Sequence, residues 1–452
     1  MNQRLHFIGL GGIGMSGLAR MVLARGATVS GSDTKDSALL QSLRAAGARV
    51  CLGHAGDNLG GADTVVLSSA ITPDNPELVA AQQRSLEILH RSALLEKLIG
   101  NDRLVAVTGT HGKSTTTAMV ARVLIQAGLD PNVIVGAESY DFDGNWRVGT
   151  GGWFVAEADE SDGSFLRCAP AVAVVTNLEC EHMDHFGSEA QLLAEFQQFI
   201  GNVMTGGAVV LCSDSPKLRR LARRDDVRTY TYGLGDEAEW RVTGYEADAR
   251  GSLFTVERAG LTVAWIKLQV PGPHNALNAT AAMLAAHAAG VELQPASEAL
   301  KQFRGIRRRM EVVGTVGGAT VVDDYAHHPS EVAATLRAAR ERWPHLVAVF
   351  QPHRYTRTRD LADEFGHAFG AADEVIITEV YPANEPPLPG VSGELIAQAI
   401  ARHEPGASLA YLPTKAAVLR RVREIARPGG AVLMMGAGDV TAWARELVGR
   451  EW

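Results

Sequence analysis

Short apolar runs followed by polar turns recur along the whole chain. Most of these runs are followed by a segment with apolar residues at helical spacing, which favours strands that alternate with helices. The clearest strand-like runs are residues 5–8, 28–33, 63–67, 103–107, 153–156, 171–175, 320–322, 345–350, 375–378 and 431–435. Such alternation is typical of parallel sheets with helices on their faces. The pattern therefore predicts an α/β protein.

The length of the chain indicates several domains. It has 452 residues, more than one ordinary hydrophobic core accommodates. We predict three domains, each with a mainly parallel sheet and flanking helices. These are a Rossmann-like domain at residues 1–100, a central P-loop ATPase-like domain at 101–306, and a Rossmann-like C-terminal domain at 307–452.

Composition and charge exclude several classes of protein. Hydrophobic residues make up 46% and charged residues 21%, which is typical of globular domains, and the net charge is −8. No basic run predicts nucleic-acid binding, and no apolar stretch is long enough to insert into a membrane. The four cysteines, Cys51, Cys168, Cys180 and Cys212, form no CxxC pair, which favours a reducing compartment. We therefore expect a cytoplasmic protein.

The most informative motif is the turn between the strand at 103–107 and the helix predicted from Thr116. It contains Gly109, Thr110, His111, Gly112, Lys113, Ser114 and Thr115. A turn of this kind directs backbone N–H groups and the positive end of a helix dipole at one point. Lys113 adds a full charge, and the hydroxyl of Ser114 can ligate Mg²⁺. We expect a nucleoside triphosphate here, although the glycines are closer together than in the usual phosphate loop.

A second glycine-rich turn lies near the N-terminus. Gly9 to Gly14 has the spacing G-x-G-x-x-G, and Asp33 follows about twenty residues later at the end of the next strand. This arrangement predicts a dinucleotide or nucleotide-sugar site, whereas a tight turn without a ligand is the alternative. Ser69, in the polar turn after the strand at 63–67, could face the same ligand.

Acidic residues and a histidine follow two strands of the predicted central domain. Glu157 to Asp162 comes after one strand, and Glu181 to Asp184 comes shortly after the next. Such groups are plausible Mg²⁺ ligands. We assign Glu157 a metal role, whereas Asp159 and Asp162 fit solvated loop acids equally well. His182 fits either a ligand or a structural histidine.

Polar clusters also follow the strands of the third domain. Arg354 and Arg357 come after the strand at 345–350, where a guanidinium can bind a carboxylate through two hydrogen bonds. A salt-bridged surface is the alternative. Asn275 and Asn278 stand one helical turn apart before the helix predicted from Ala279, and they fit either ligand binding or helix capping. The arginines at 307–309 fit either a solvated face or a phosphate contact.

Taken together, these motifs resemble the Mur ligases across all three predicted domains. The resemblance depends on the turns at 9–17 and 109–115 and on Glu157-Ala-Asp-Glu-Ser-Asp162. It depends also on Asp324-Tyr-Ala-His-His-Pro329 and Gln351-Pro-His-Arg-Tyr355. The last two motifs, with the first turn, are the most specific and are similar to the members that add L-alanine.

The resemblance implies a reaction and a set of roles. ATP would phosphorylate the lactyl carboxylate of UDP-N-acetylmuramate, and the amine of L-alanine would attack the acyl phosphate, with Mg²⁺ as the metal. Lys113, Glu157 and His182 match catalytic residues, and Ser114, Glu157 and His182 match metal ligands. The turn at 109–115 with Asn275, Arg309 and Asp324 matches the ATP site. The nucleotide-sugar contacts are Gly11, Gly12, Ile13, Gly14, Met15, Ser16, Asp33 and Ser69. The amino-acid contacts are Tyr325, His327, Arg354 and Arg357.

Some alternatives stay open at this point. Glu157 and Glu160 could exchange roles, because both lie in one loop. Several Mur ligases use a carbamylated lysine shortly after the position of His182, but here no lysine occurs between His182 and Lys217. The sequence alone does not distinguish a relative that attaches another amino acid or a peptide, and we expect a monomer or weak homodimer. Rival interpretations are an NAD-dependent dehydrogenase, a nucleotide-sensing protein and a folate-type ligase.

Overall fold

The structure is a computed structural model that describes residues 3–142, 144–248 and 250–449. Its strands form three sheets. The chain divides into two compact units, which are described separately. The first comprises Met1–Gly244, Phe254–Ile266 and Leu277–Phe303, and the second comprises Tyr245–Leu253, Lys267–Ala276 and Arg304–Trp452.

The first sheet has five parallel strands in the order β3-β2-β1-β4-β5. Its strands are β1 (Arg4–Ile8), β2 (Thr28–Asp33), β3 (Arg49–Leu52), β4 (Thr64–Leu67) and β5 (Glu87–His90). The helices are α1 (Ile13–Ala24), α2 (Ala38–Ala45), α3 (Pro76–Gln83) and α4 (Arg91–Ile99). Strand order reverses at β1, and open α/β sheets bind ligands at such a point. The first glycine turn follows β1 directly.

The second sheet has ten strands in the order β15-β14-β13-β12-β11-β10-β6-β9-β7-β8. The strands are β6 (Arg103–Thr108), β7 (Asn132–Ser139), β8 (Gly144–Arg147), β9 (Trp153–Glu157), β10 (Val172–Val175), β11 (Ala208–Cys212), β12 (Arg228–Gly233), β13 (Trp240–Asp248), β14 (Gly251–Arg258) and β15 (Leu261–Leu268). The helices are α5 (Lys113–Gln126), α6 (Met183–Phe186), α7 (Glu189–Gly201), α8 (Pro216–Arg219), α9 (Pro273–Ala288) and α10 (Leu293–Leu300). The central strand β6 is parallel to β10 and β9, and it leads into the second glycine turn.

The third sheet has six strands in the order β16-β17-β21-β18-β19-β20, of which only the β16–β17 pair is antiparallel. The strands are β16 (Glu311–Val316), β17 (Ala319–Asp324), β18 (Leu346–Phe350), β19 (Glu374–Ile377), β20 (Ser408–Tyr411) and β21 (Ala431–Met435). The helices are α11 (Pro329–Arg340), α12 (Tyr355–Asp360), α13 (Ala362–Phe365), α14 (Gly393–His403), α15 (Lys415–Ile425) and α16 (Val440–Leu447). Alternate residues of β21 pack into opposite cores, so both faces of this sheet are covered.

The predicted fold class is confirmed, and two helix starts are corrected. Helix α5 begins at Lys113, not Thr116, because Gly112 adopts a positive φ and starts the helix directly after the turn. Helix α9 begins at Pro273, not Ala279, because proline fits a first helical turn. The sheets lie within 4–90, 103–268 and 311–435, and the domain limits themselves stay predictions. Among the described residues, no helix is long and apolar enough to cross a membrane.

Candidate functional site

The first glycine turn joins β1 to α1 and is closed by Asp33. The backbone N–H of Gly11 donates to Asp33 Oδ2 over 2.9 Å. A Cβ added to Gly11 would lie 2.9 Å from the same oxygen, so a side chain there would push the carboxylate away. Gly9, with φ of 79°, begins the turn. Asp33 therefore shapes the turn, whatever contacts it makes with a ligand.

The remaining residues of this turn divide between the helix end and the core. Gly12 caps α1 without a side-chain hydrogen bond, and Ile13 and Gly14 begin the helix. Met15 and Ser16 are buried, and the Ser16 hydroxyl donates to Ile13 O over 3.0 Å. The side chains of Met15 and Ser16 are therefore buried, and the prediction that this turn binds an anion depends on its backbone N–H groups.

The side of α1 away from the turn packs against the second sheet. Asn145, on β8, donates from Nδ2 to Ile13 O over 2.7 Å. A Cβ on Gly17 would come within 2.8 Å of that same nitrogen. Glycine at position 17 is what allows α1 and β8 to approach this closely.

The second glycine turn, from Gly109 to Thr115, requires glycine at two positions. Gly109 has φ of 123° and Gly112 has φ of 79°. A Cβ on Gly109 would lie 2.4 Å from Thr176 Oγ1, and one on Gly112 would lie 2.5 Å from Asn278 Oδ1. Both close contacts would force the turn open.

Residues after β10 hold the middle of the second turn. The N–H of His111 donates to Asn177 Oδ1 over 2.8 Å, and the Thr176 hydroxyl donates to His111 O over 2.6 Å. The Thr110 hydroxyl accepts from the N–H of Glu179 over 2.8 Å. Ser114 and Thr115 follow in the first turn of α5. No local motif marks Thr176 and Asn177 as supports of this turn, although their place directly after a strand is a signal for it.

Lys113 is held inside its own turn and is not a solvated lysine. Its Nζ donates to Gly109 O over 2.6 Å, to Thr110 O over 3.0 Å and to Glu160 Oε1 over 2.8 Å. Burial would lower the pKa of Lys113, but the carboxylates of Glu160, Glu157 and Asp159 together raise it. The ammonium group is therefore fixed in its charged form.

The acid loop, which we define as Glu157–Asp162, gives its two glutamates different environments. Glu157 Oε2 accepts from the N–H of Gly136 over 2.8 Å. Glu160 is 3% exposed, and burial raises its pKa to about 7 against the opposing effect of Lys113. Within the described part of the chain, Glu160 Oε2 has no hydrogen-bond partner. His182 Nε2 lies 4.0 Å from Glu160 Oε1. Glu160, as well as Glu157, thus faces the predicted phosphate site.

The two aspartates of the acid loop are partly exposed, and each contacts another side chain. Asp159 Oδ2 lies 2.7 Å from Arg91 Nη2, and Asp162 Oδ2 accepts from the Ser69 hydroxyl over 2.6 Å. Burial would raise the pKa of Asp159, but Arg91 and Lys113 lower it strongly. Ser69, predicted to face the nucleotide sugar, therefore connects β4 of the first sheet to this loop. The sequence did not predict a role for Arg91, because no motif occurs near it.

Lys217, the next lysine after His182, has other partners. Its Nζ lies 2.8 Å from Cys180 Sγ and 3.1 Å from Glu189 Oε2. Neither of these partners belongs to the acid loop.

The second compact unit holds a separate cluster of cations and rings after β17 and β18. Arg357 Nη1 lies 3.4 Å from His353 Nδ1, and the ring centroids of His327 and His353 are 5.8 Å apart. Burial lowers the pKa of His353 to about 3, and His327, Arg357 and Arg354 reinforce the effect. His353 is therefore neutral beside several cations, which makes the cluster attractive to an anion. Arg354 adopts φ of 71°, and its N–H donates to Tyr381 O over 2.9 Å.

The residues matched to ATP by the resemblance also lie in the second unit, apart from the turn itself. Asp324 already accepts from Met310 N, Ala326 N and Thr335 Oγ1 at 2.8, 2.9 and 3.2 Å. Arg309 Nη1 lies 3.4 Å from Glu331 Oε1, and its guanidinium carbon is 5.2 Å from the centroid of the Tyr325 ring. Asn275 Nδ2 donates to Pro271 O over 2.6 Å. Within the arginine run, Arg309 is therefore packed, whereas Arg307 is exposed.

Comparison with known protein families covers most of the chain. Residues 4–103 match the description "Mur ligase family, catalytic domain", residues 107–286 match "Mur ligase middle domain", and residues 308–438 match "Mur ligase, glutamate ligase domain". These three matches follow the three sheets in order. They leave the dehydrogenase and sensor interpretations without support.

Two similar proteins that align over nearly the whole chain share one name. The UDP-N-acetylmuramate–L-alanine ligase of Pelotomaculum thermopropionicum is 44% identical over 99% of this chain and 97% of its own length. The protein of the same name from Renibacterium salmoninarum is 47% identical over 97% of this chain and 94% of its own. The crystal structure of UDP-N-acetylmuramate–alanine ligase from Thermotoga maritima covers 99% of both chains, at 30% identity and a TM-score of 0.87.

Proposed function

Because the chain belongs to the Mur ligase family, we propose that it joins L-alanine to the lactyl carboxylate of UDP-N-acetylmuramate at the expense of ATP. The products are UDP-N-acetylmuramoyl-L-alanine, ADP and phosphate, and the reaction belongs to peptidoglycan synthesis. The structural observation that carries the proposal is Lys113, held 2.8 Å from Glu160 in a strand–turn–helix phosphate site. Full-length relatives bearing this enzyme's name support the choice of substrates.

The reaction has two steps, and Lys113 acts in the first. A carboxylate is a poor electrophile, so a lactyl oxygen first attacks the γ-phosphorus of ATP and ADP leaves. Lys113 offsets negative charge on the transferring phosphoryl group, and the N–H groups at the start of α5 bind phosphate oxygens. When it binds the phosphoryl group, Lys113 Nζ gives up the hydrogen bonds that it donates to the carbonyl oxygens of Gly109 and Thr110 in the present structure.

The acid loop suits a magnesium ion. Hard oxygen ligands are what Mg²⁺ prefers, and the buried Glu160 Oε2 without a partner marks a place where a cation fits. Ser114, Glu157 and His182 are the predicted ligands, and the position of Glu160 adds it to the candidates. When bound, Mg²⁺ neutralises charge on the phosphates. Because the chain lacks the carbamylated lysine, Glu160 and His182 are the residues proposed to hold a second ion.

The second step needs a free amine and a well-placed carboxylate. The amine of L-alanine attacks the carbonyl carbon of the acyl phosphate, phosphate leaves, and the nitrogen loses a proton. The carboxylate of L-alanine is the remaining charged handle, and Arg354 and Arg357 are proposed to bind it with Tyr325 and His327 nearby. Burial keeps His353 neutral and the cations around it reinforce the effect, and these cations support an anion site here. Asn275, Arg309 and Asp324 are kept as proposed ATP contacts.

The nucleotide sugar is assigned to the first glycine turn. Its diphosphate is proposed to meet the backbone from Gly11 to Ser16, and Asp33 and Ser69 border that site. Because ATP and UDP-sugars are cytoplasmic metabolites, the reaction is assigned to the cytoplasm. A monomer or weak homodimer stays our prediction, which the elution volume of the purified protein as a function of concentration tests.

Phosphate release across a panel of acceptors tests the function. The full chain receives ATP, Mg²⁺ and UDP-N-acetylmuramate, with L-alanine, glycine, L-serine, D-glutamate, the tripeptide L-alanyl-γ-D-glutamyl-meso-diaminopimelate, or no acceptor. We expect the highest kcat/KM with L-alanine and almost none with D-glutamate. A clear preference for the tripeptide would favour a peptide ligase, and release without UDP-N-acetylmuramate would contradict the proposal.

A further inference from the structure

Arg91 connects the first sheet to the acid loop. It is the first residue of α4, directly after β5, and its side chain is 25% exposed. Its Nη2 lies 2.7 Å from Asp159 Oδ2 and 3.5 Å from Asp162 Oδ2. Burial would lower the pKa of Arg91, but these two carboxylates raise it. One edge of the guanidinium is therefore occupied by the loop that carries Glu160.

The other edge of the same guanidinium faces the first glycine turn. Arg91 Nη1 lies 3.4 Å from the position that a Cβ would take on Gly14, in the first turn of α1. That turn contains no acidic residue, and Gly12 caps it without a side chain. A cation beside the positive end of a helix dipole is unfavourable by itself. An anion at the turn would be attracted by both, so the pairing indicates a place for the diphosphate.

A guanidinium is suited to this double contact. It has five donors in a rigid planar fork and can hold one anion on each edge, whereas an ammonium group is a single point charge. The Ser69 hydroxyl donates to Asp162 Oδ2 over 2.6 Å, and His90 Nε2 lies 3.6 Å from the same oxygen. The first sheet thus contacts one part of the acid loop through Arg91 and Ser69, and Lys113 contacts another part through Glu160.

We propose that Arg91 links the two nucleotide sites, binding the diphosphate of UDP-N-acetylmuramate with one edge of its guanidinium and positioning the acid loop with the other. The proposal rests on the function proposed above and names one further substrate contact. Toward the sugar Arg91 is a binding residue, and toward Lys113 it is a positioning residue. Occupation of the first turn then favours the loop arrangement in which Glu160 faces Lys113.

The test uses the full chain with two measurements that separate the roles. Calorimetry without ATP gives the Kd of UDP-N-acetylmuramate, and steady-state phosphate release gives kcat. Arg91→Ala is expected to weaken sugar binding about ten- to a hundredfold, the range for a charged hydrogen bond, and to lower kcat. Asp159→Asn is expected to lower kcat while sugar affinity stays within about threefold. Arg25→Ala is the matched control, because Arg25 lies in the same domain and bonds only the Leu98 carbonyl among the contacts described here.

Two further variants keep the test decisive. In Arg91→Ala/Asp159→Asn, kcat is expected to fall no further than in the worse single variant, because both changes break one link. If Arg91→Ala does not fold, Arg91→Lys takes its place, with sugar affinity retained within about threefold and kcat reduced. Wild-type sugar affinity in Arg91→Ala, independent kcat losses in the double variant, or wild-type kcat in Arg91→Lys would each overturn the proposal. A wild-type chain that releases no phosphate would instead refute the function itself.

Discussion

The two glycine turns are built alike in their backbone and differ in their charges. Each follows a strand with a parallel neighbour on both sides and starts a helix, and each contains a glycine in the left-handed region. The first turn is closed by a carboxylate, Asp33, which accepts from Gly11 N. The second carries a buried cation, Lys113, paired with the buried acid Glu160.

This difference separates binding from chemistry. In the first turn, backbone N–H groups, together with Arg91, are proposed to hold a diphosphate that does not react. In the second, the proposed reaction moves a phosphoryl group, which needs a charge ready where negative charge develops. The same strand–turn–helix unit is thus proposed to serve two purposes, which differ by Asp33 at the first turn and by Lys113 with Glu160 at the second.

The largest expected effect comes from removing the cation of the second turn. Lys113→Ala should reduce kcat at least about 10²–10³-fold, because one preorganised donor is lost from the phosphoryl-transfer site. It should also lower the free energy of unfolding by up to about 3–5 kcal/mol, since Glu160 is left buried without its partner. Steady-state phosphate release and urea denaturation measure the two effects.

A second substitution distinguishes these losses. Lys113→Ala/Glu160→Gln should recover part of the stability and none of the activity, because it removes only the unpaired acid. Lys97→Ala is the control, as Lys97 is exposed and pairs with Glu87 at the surface. If folded Lys113→Ala kept near-normal activity, the proposed difference between the turns, binding in the first and chemistry in the second, would be wrong.

The next effect tests whether the first turn serves the nucleotide sugar alone. In Gly11→Val the new side chain collides with Asp33, so we expect the Kd of UDP-N-acetylmuramate to rise more than about tenfold. ATP affinity should stay within about twofold, because the second turn is built separately. Calorimetry with each ligand measures both, and Gly152→Val, where the added atoms meet open space, is the control. Equal losses for both ligands would mean that the two turns are not independent sites.

The cationic cluster of the second unit offers a comparison with both turns, because it is proposed to bind an anion through side chains. Arg357→Ala should raise the KM for L-alanine about ten- to a hundredfold, as expected for one charge-assisted hydrogen bond. The KM for UDP-N-acetylmuramate should be nearly unchanged. Arg359→Ala on the same helix is the control, since Arg359 is exposed and pairs with Asp360. A defect confined to the ATP or sugar constant would place Arg357 in another site.

The smallest expected effect concerns Asp323, a buried acid without a lysine partner. Burial raises its pKa to about 6, although Arg308 and the Thr441 hydroxyl oppose the rise. The folded state therefore holds a proton that the unfolded state has released, and stability falls as pH rises from about 4 to 6. Asp323→Asn should be more stable than the wild type above pH 6, by on the order of 1–3 kcal/mol, and the gain should vanish near pH 4.

The control for this effect has the opposite sign. Burial would raise the pKa of Asp373, but the Leu346 N–H and Arg340 lower it. Asp373→Asn should therefore be less stable than the wild type near neutral pH, with a loss that disappears as pH falls. Urea denaturation at several pH values gives both curves. Parallel curves for the two variants would contradict the assignment of Asp323 as a protonated buried acid.

The sequence predicted the inner strands well because most of them are buried on both faces and read as continuous apolar runs, whereas the edge strands β3 and β20 are only partly buried. It predicted the two turns for a similar reason, since glycine, lysine and hydroxyl residues occur there at fixed spacing. It misplaced the starts of α5 and α9, because polar residues in a first helical turn look like loop residues. His274 and Asn275 belong to such a turn.

The sequence predicted the candidate site less well where the site depends on contacts between residues that are distant in sequence. Arg91 meets Asp159 across 68 positions, and Ser69 meets Asp162 across 93. Neither contact has a local pattern, so the aspartates fitted solvated loop acids equally well. Glu160 could not be distinguished from Glu157, because only the three-dimensional structure shows which carboxylate reaches Lys113.

The close approach at Gly17 limits how this enzyme can be divided or recombined. Helix α1 rests on Asn145 of β8, so the wall behind the first turn is supplied by a hairpin more than a hundred residues further along the chain. Residues 1–100 expressed alone would leave that flank of α1 uncovered. A chimera that borrows the N-terminal segment from a relative must therefore borrow the matching β7–β8 hairpin as well. Positions 17 and 145 must therefore be exchanged together in protein engineering, although they lie in different predicted domains.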